Sequence, residues 1–160
     1  MNTLLRSLLL LAAVGTAPAW AQVKVENAWA RATVQGQKAT GAFMKLTAPQ
    51  ATQLVAVSTP VAGVSEIHEM KMDNGVMKMR AMPVLQLPAN QAVELQPGGY
   101  HLMLMDLKAP LAKDGSIALT LTFKDAKGQV SKQQVNVPVT TGMPQGHMHG
   151  HSHGPAEHKH

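Results

Sequence analysis

The sequence of 160 residues contains no cysteine. This absence excludes disulfide frameworks, cysteine zinc sites, iron–sulfur clusters, thiol catalysis and metal centres built on a thiolate. Aromatic residues are also scarce, with two Trp, one Tyr and two Phe, and the net charge of +5 comes from lysines that fall singly along the chain. A chain without a basic stripe or a stacking platform is not expected to bind nucleic acid. Its length predicts one domain with its own core.

Residues 1–21 have the pattern of a secretory signal peptide. Arg6 precedes the apolar stretch 8–14, and Ala19-Trp20-Ala21 forms a small-x-small cleavage site. The apolar stretch is well short of the roughly 20 residues that span a bilayer. We therefore expect export to the periplasm of a Gram-negative bacterium, with no membrane span after cleavage.

Residues 22–140 show short apolar segments with a period of two, separated by Gly, Pro and Asn signals. The alternation is clearest where Ile117, Leu119 and Leu121 are interleaved with smaller or polar residues. This spacing predicts an all-β domain, an antiparallel sandwich or barrel. The predicted strands cover residues 23–33, 41–47, 53–58, 64–72, 76–82, 92–95, 100–107, 116–123 and 130–137.

What the sequence has in excess is methionine and histidine. Seven of its eleven methionines lie between residues 70 and 105, and His68 and His101 stand beside the same runs. Asn74-Gly75 between two alternating segments predicts a hairpin with a type I′ turn. That turn pairs Met72 with Met77 and Met70 with Met79, so these four methionines and His68 share one face.

A third run places His101, Met103 and Met105 on one face and Leu102 and Leu104 on the other. The leucines are the expected core face, so the histidines and methionines are expected to point outward. A single methionine is usually a flexible core residue, but here leucines already supply the core. Thioethers suit Cu(I), imidazole accepts both copper oxidation states, and the shared face therefore predicts a Cu(I) site. These residues alone leave Met70 and Met79 as equal candidates.

The spacing of His68, Met79, His101 and Met103 resembles the H-x10-M-x21-H-x-M signature of the periplasmic copper chaperones called PCu(A)C, also written PCuAC. The flanking segments 66–70 and 97–105 resemble that family as well, and the resemblance covers roughly residues 23–138.

The resemblance implies a cupredoxin-like β-sandwich that carries one Cu(I) on His68, Met79, His101 and Met103. It also implies delivery of copper to the binuclear centre of cytochrome c oxidase, with subunit II and Sco-type proteins as partners. Met70, Met72 and Met77 remain possible secondary ligands. We expect a monomer.

The last twenty residues, 141–160, combine Gly, Pro and His with little apolar content, which predicts a disordered tail. Its metal-binding side chains suit Cu(II), although Ni(II) and Zn(II) are also possible. An expression tag is the alternative, but the irregular spacing argues against it. The candidate tail ligands are His147, Met148, His149, His151, His153, His158 and His160.

Three other functions compete with delivery. Copper storage or resistance would make the tail the working part, without a dedicated acceptor. Catalysis is disfavoured because His68-Glu69 begins like a zinc-protease motif, but Met72 stands where its second histidine should be. A purely structural β-sandwich is the remaining alternative. We therefore expect a metal-binding protein that is not an enzyme.

Overall fold

The computed structural model describes residues 22–143, and these residues form ten β-strands and no helix. The all-β class predicted from the alternating segments is therefore confirmed. Within the same residues, no helix is long and apolar enough to cross a membrane. The strands are β1 Lys24–Arg31, β2 Ala39–Thr47, β3 Thr52–Ser58, β4 Ala62–Asp73, β5 Val76–Met82, β6 Leu85–Leu87, β7 Ala92–Leu95, β8 Tyr100–Leu107, β9 Ser116–Asp125 and β10 Val130–Thr140.

The strands are hydrogen-bonded in the order β5-β4-β8-β7-β2-β1-β10-β9-β3-β6, with an additional pairing of β8 with β2. Buried side chains from both halves of this order form one hydrophobic cluster, which is the core of the sandwich. Leu102 and Leu104 contribute from β8, and Leu119 and Leu121 from β9; all four are fully buried. The period of two in the sequence thus predicts correctly which face of β8 and β9 points into the core.

Two features differ from the strand assignment made from sequence. The short strand β6 lies between Pro83 and Pro88 and was not predicted, because three residues are too few to show a period. Strand β1 pairs in parallel with β10 through Ala30 and Val139, so the sandwich is not purely antiparallel. This pairing joins the two halves of the strand order, and it involves residues too far apart in sequence for a local pattern to reveal.

The β4–β5 hairpin has the predicted register. Met70 lies opposite Met79 and Met72 opposite Met77. Asn74 and Gly75 have φ values of 50° and 78°, as a type I′ turn requires. Strand β4 pairs with β8 only as far as Glu69 and Tyr100. The remaining residues of the hairpin therefore form a two-stranded ribbon that continues past β8.

Candidate metal centre

The site lies on the face of the sheet opposite the core leucines, where β4, β5 and β8 are neighbours. His68 on β4 is directly opposite His101 on β8, and Met103 is opposite Glu66. Met79 reaches the same face from β5 through its pairing with Met70. The strand order therefore brings the four predicted ligands to one face, with both histidines on adjacent strands.

The two imidazole rings form a close cross-strand pair. Their centroids are 5.7 Å apart and their planes are inclined by 59°. Two rings that share one ion through bonds of roughly 2 Å, the usual metal–imidazole length, have centroids at most about 6 Å apart. The pair is therefore spaced so that one ion can be held between the rings.

The expectation that these histidines point outward is only half right. They lie on the face away from Leu102 and Leu104, but His68 and His101 retain only 9% and 5% of their accessible surface. His101 is covered by the Phe43 ring, whose centroid lies 6.3 Å from its own. The sequence pattern gives the face of a strand, whereas burial depends on which neighbouring strand supplies a large side chain.

Burial also sets the charge of His101. It lowers the pKa of His101 below the ordinary value of 6.5, an effect opposed by the hydrogen bond to Gly99 and reinforced by nearby His68. A depressed pKa keeps the ring neutral at neutral pH. The neutral ring is the form that binds metal ions.

Each ring is oriented by a hydrogen bond from one nitrogen. His101 Nδ1 donates to the carbonyl oxygen of Gly99 at 3.2 Å. His68 Nε2 lies 2.8 Å from Glu66 Oε2. The other nitrogen of His68, Nδ1, is buried and has no hydrogen-bond partner within residues 22–143. Both rings are thus fixed in position by one nitrogen each.

An aromatic wall that the sequence analysis missed closes the site on the β2 side. Phe43 packs against Trp29 with ring centroids 4.5 Å apart, and the Arg31 guanidinium lies 5.8 Å from the Phe43 ring centroid. A β-bulge in β1 shifts the register between Glu26 and Trp29. In a regular strand, Trp29 would lie on the opposite face from Glu26, because the two residues are three positions apart.

Two local features of the sequence make this wall possible. Asn27, inside the bulge, has φ of 56°, a left-handed conformation that asparagine tolerates better than most residues. Gly41 leaves room for the wall, since a Cβ there would lie 2.7 Å from Phe43 Cζ. The Asn27 and Gly41 signals are visible in the sequence, but their connection to the histidines is not.

The methionines range from partly buried to exposed. Met70 and Met103 are partly buried, whereas Met79 and Met72 keep 49% and 59% of their accessible surface. Because Met70 and Met79 lie opposite each other on neighbouring strands, the fold leaves both as candidate ligands. Within the described part of the chain, no three His, Asp or Glu side chains are grouped as a metal site.

Two predictions concern residues outside the described range. The signal peptide predicted for residues 1–21 and the tail ligands between His147 and His160 lie outside residues 22–143. They stay predictions.

Comparison with known proteins identifies the family of this chain and agrees with its fold. Residues 23–139 match the family described as "Putative lipoprotein LpqE-like". The chain is 36% identical over 118 residues to "Putative lipoprotein Lxx21020" of Leifsonia xyli, covering 73% of this chain and 69% of that protein.

Solved structures of PCuAC proteins have the same fold. The apo PCuAC domain from PmoF1 is 25% identical, with a TM-score of 0.59 over 73% of this chain and 92% of that one. The solution structure of CuI-DR1885 from Deinococcus radiodurans is 29% identical, with a TM-score of 0.56 over 81% of this chain and 83% of that one. The chain thus belongs to the LpqE-like family and has the cupredoxin-like fold of PCuAC domains, as its motif predicted.

Proposed function

We propose that this protein is an exported copper chaperone that binds Cu(I) through His68, Met79, His101 and Met103 and passes it to an acceptor protein. In this proposal the copper-binding domain spans residues 22–140, and copper is cargo, not a resident cofactor. The relative named a putative lipoprotein and the predicted signal support export. The compartment that we propose is the periplasm. The CuI-DR1885 structure supports copper as the metal.

The observation that carries the proposal is the buried histidine pair with thioethers beside it. Two neutral imidazoles and two thioethers add no charge, which favours the singly charged Cu(I) over a doubly charged ion. Thioethers are poor ligands for hard cations such as Mg²⁺ and Ca²⁺ and good ligands for Cu(I). Phe43 packs against the buried His101, which would exclude water from that side of a bound ion.

The exposed ribbon supports transfer as the function. Met70 with Met79 and Met72 with Met77 form two successive rungs beyond the histidine pair, and consecutive rungs on one face are about 7 Å apart. Along β4, exposure increases from buried His68 through partly buried Met70 to exposed Met72. We propose that Met70, Met72 and Met77 exchange with Met79 while the ion leaves, so that copper can move by one ligand replacement at a time.

The acceptor in this proposal is the binuclear copper centre of cytochrome c oxidase subunit II, with Sco-type proteins acting in the same assembly. The family resemblance supports this choice. The proposed role of the tail at 141–160 is to capture Cu(II) through its six histidines. The protein acts by binding and transfer, not as an enzyme.

Single substitutions test the site. His68→Ala, Met79→Leu, His101→Ala and Met103→Leu are each expected to weaken Cu(I) binding, measured by competition with a chromogenic Cu(I) chelator. Met105→Leu is the matched control, because Met105 shares the face but lies opposite Val64, away from the histidine pair. If all four substitutions leave Cu(I) affinity at the value of the control, the proposed site is wrong.

Copper storage is the alternative, favoured by the histidine-rich segment 141–160. Storage predicts that a deletion strain becomes sensitive to excess copper and keeps its oxidase activity when copper is scarce. Delivery predicts that the deletion strain loses oxidase activity when copper is scarce and does not become sensitive to excess copper. Transfer of Cu(I) from the purified protein to apo subunit II provides an independent test.

A further inference from the structure

The hydrogen bonds of the histidine pair are not equivalent. His101 is held through Nδ1, which leaves Nε2 for a ligand. His68 is held through Nε2, which leaves Nδ1, a buried atom with no hydrogen-bond partner among residues 22–143. The two hydrogen bonds therefore leave a different nitrogen of each ring available to a ligand.

The partner of His68 determines which nitrogen carries its proton. Glu66 is a carboxylate and can only accept, so the hydrogen in this contact belongs to His68 Nε2. In the neutral ring the lone pair is then on Nδ1. Buried polar atoms are normally paired, so the lone pair on Nδ1 indicates a ligand that is added to the folded protein.

We infer that Glu66 is a positioning residue that makes His68 bind Cu(I) through Nδ1, while His101 binds through Nε2. The inference rests on the proposed copper site. Glu66 lies on the same face as His68, two residues before it on β4, and is the cross-strand partner of Met103. Its carboxylate is a hard donor that suits Cu(I) poorly, so its effect is exerted through the imidazole.

Loss of a hydrogen bond to a metal-binding histidine usually reduces metal affinity 10- to 100-fold. Glu66→Leu is therefore expected to weaken Cu(I) binding by about that factor. Glu66→Gln keeps an acceptor oxygen and is expected to recover most of the affinity. Glu69→Gln is the matched control: Glu69 neighbours His68 in sequence but points to the other face, where it forms a 2.8 Å ion pair with Arg80.

The decisive measurement is long-range 1H–15N NMR of protein labelled at histidine nitrogens, at a pH where both rings are neutral. In the metal-free wild type, His68 is expected to carry its proton on Nε2, and the population of this tautomer should fall in Glu66→Leu but be kept in Glu66→Gln and Glu69→Gln. On Cu(I) addition, the Nδ1 resonance of His68 and the Nε2 resonance of His101 should shift.

The possible outcomes separate this inference from the proposed function. A Cu(I)-dependent shift that is larger at His68 Nε2 than at Nδ1, or a metal-free His68 that is protonated on Nδ1, overturns the role of Glu66 and leaves the copper site standing. Equal Cu(I) affinity in Glu66→Leu and Glu69→Gln also overturns that role. If neither ring shifts with Cu(I), the copper site itself is wrong, and the role assigned to Glu66 is wrong with it.

Discussion

The substitution Gly41→Ala tests whether the aromatic wall holds the histidine pair in place. Gly41 is opposite Met103, and a Cβ at this position would come within 2.7 Å of Phe43 Cζ, closer than nonbonded carbon atoms can approach. The Phe43 ring cannot move freely, because it is buried between Trp29 and His101. The added methyl group therefore forces a shift within the wall.

The size of the effect follows from two opposing contributions. Inserting one carbon into a packed site usually costs about 1–3 kcal/mol. Replacing glycine in a strand by alanine returns about 0.4–1 kcal/mol through the unfolded chain, provided the backbone conformation suits alanine. We expect a net loss of about 1–2 kcal/mol, which for a domain of this size lowers Tm by roughly 3–10 °C. If the shifted ring strains the copper-bound form more than the metal-free form, a difference of about 1.4 kcal/mol weakens Cu(I) binding tenfold.

Thermal unfolding followed by circular dichroism and Cu(I) competition provide the two measurements. Gly142→Ala is the control, since a Cβ there meets nothing within 4 Å. A double-mutant cycle with Phe43→Leu identifies the cause: in the leucine background, Gly41→Ala should be neutral or slightly stabilising. Unchanged Tm and Cu(I) affinity in Gly41→Ala would refute the reasoning, and so would an equal loss of Tm in both backgrounds.

Four further predictions follow from the same structure. Burial lowers the pKa of His101, so the unfolded chain takes up its proton first, and the metal-free protein should lose stability as pH falls below the ordinary value of 6.5. The fall in Tm should be smaller in His101→Gln, and an identical pH profile would contradict this. Leu104→Ala, in the fully buried core, should lower the free energy of unfolding by about 2–5 kcal/mol in urea titrations, and a loss well below 1 kcal/mol would be inconsistent with its packing. Met72→Leu with Met77→Leu should slow Cu(I) transfer without weakening equilibrium binding, and an unaltered transfer rate would remove the ribbon from the route. Truncation after Thr141 should lower Cu(II) stoichiometry and leave Cu(I) stoichiometry unchanged, and an unchanged Cu(II) count would exclude the tail as a Cu(II) site.

Much of the site follows from local rules. The Asn74-Gly75 turn and strict alternation predict which methionines face each other, because register in a hairpin depends only on the turn and the period of two. The same alternation separates the β8 leucines from His101 and Met103. The choice of Met79 over Met70 as ligand came from the family resemblance alone.

Features that depend on long-range pairing could not be predicted. The contact between His68 and His101 requires β4 to be the neighbour of β8, and the wall requires β2 and β1 to follow. Trp29 belongs to that wall because of a bulge, which changes the face of every later residue in the strand. The period of a strand does not indicate which other strand lies beside it. The sequence therefore could not predict that the histidines are buried.

The sequence by itself determined the type of chemistry: no thiol, many thioethers, two histidines in the same runs, and strands that place them on one face. These follow from composition and from the period of the backbone. The tertiary structure alone decided that the two histidines form a buried pair and that Phe43 lies against His101. Those properties depend on distances between strands that are remote in sequence, and such distances are set only when the core packs.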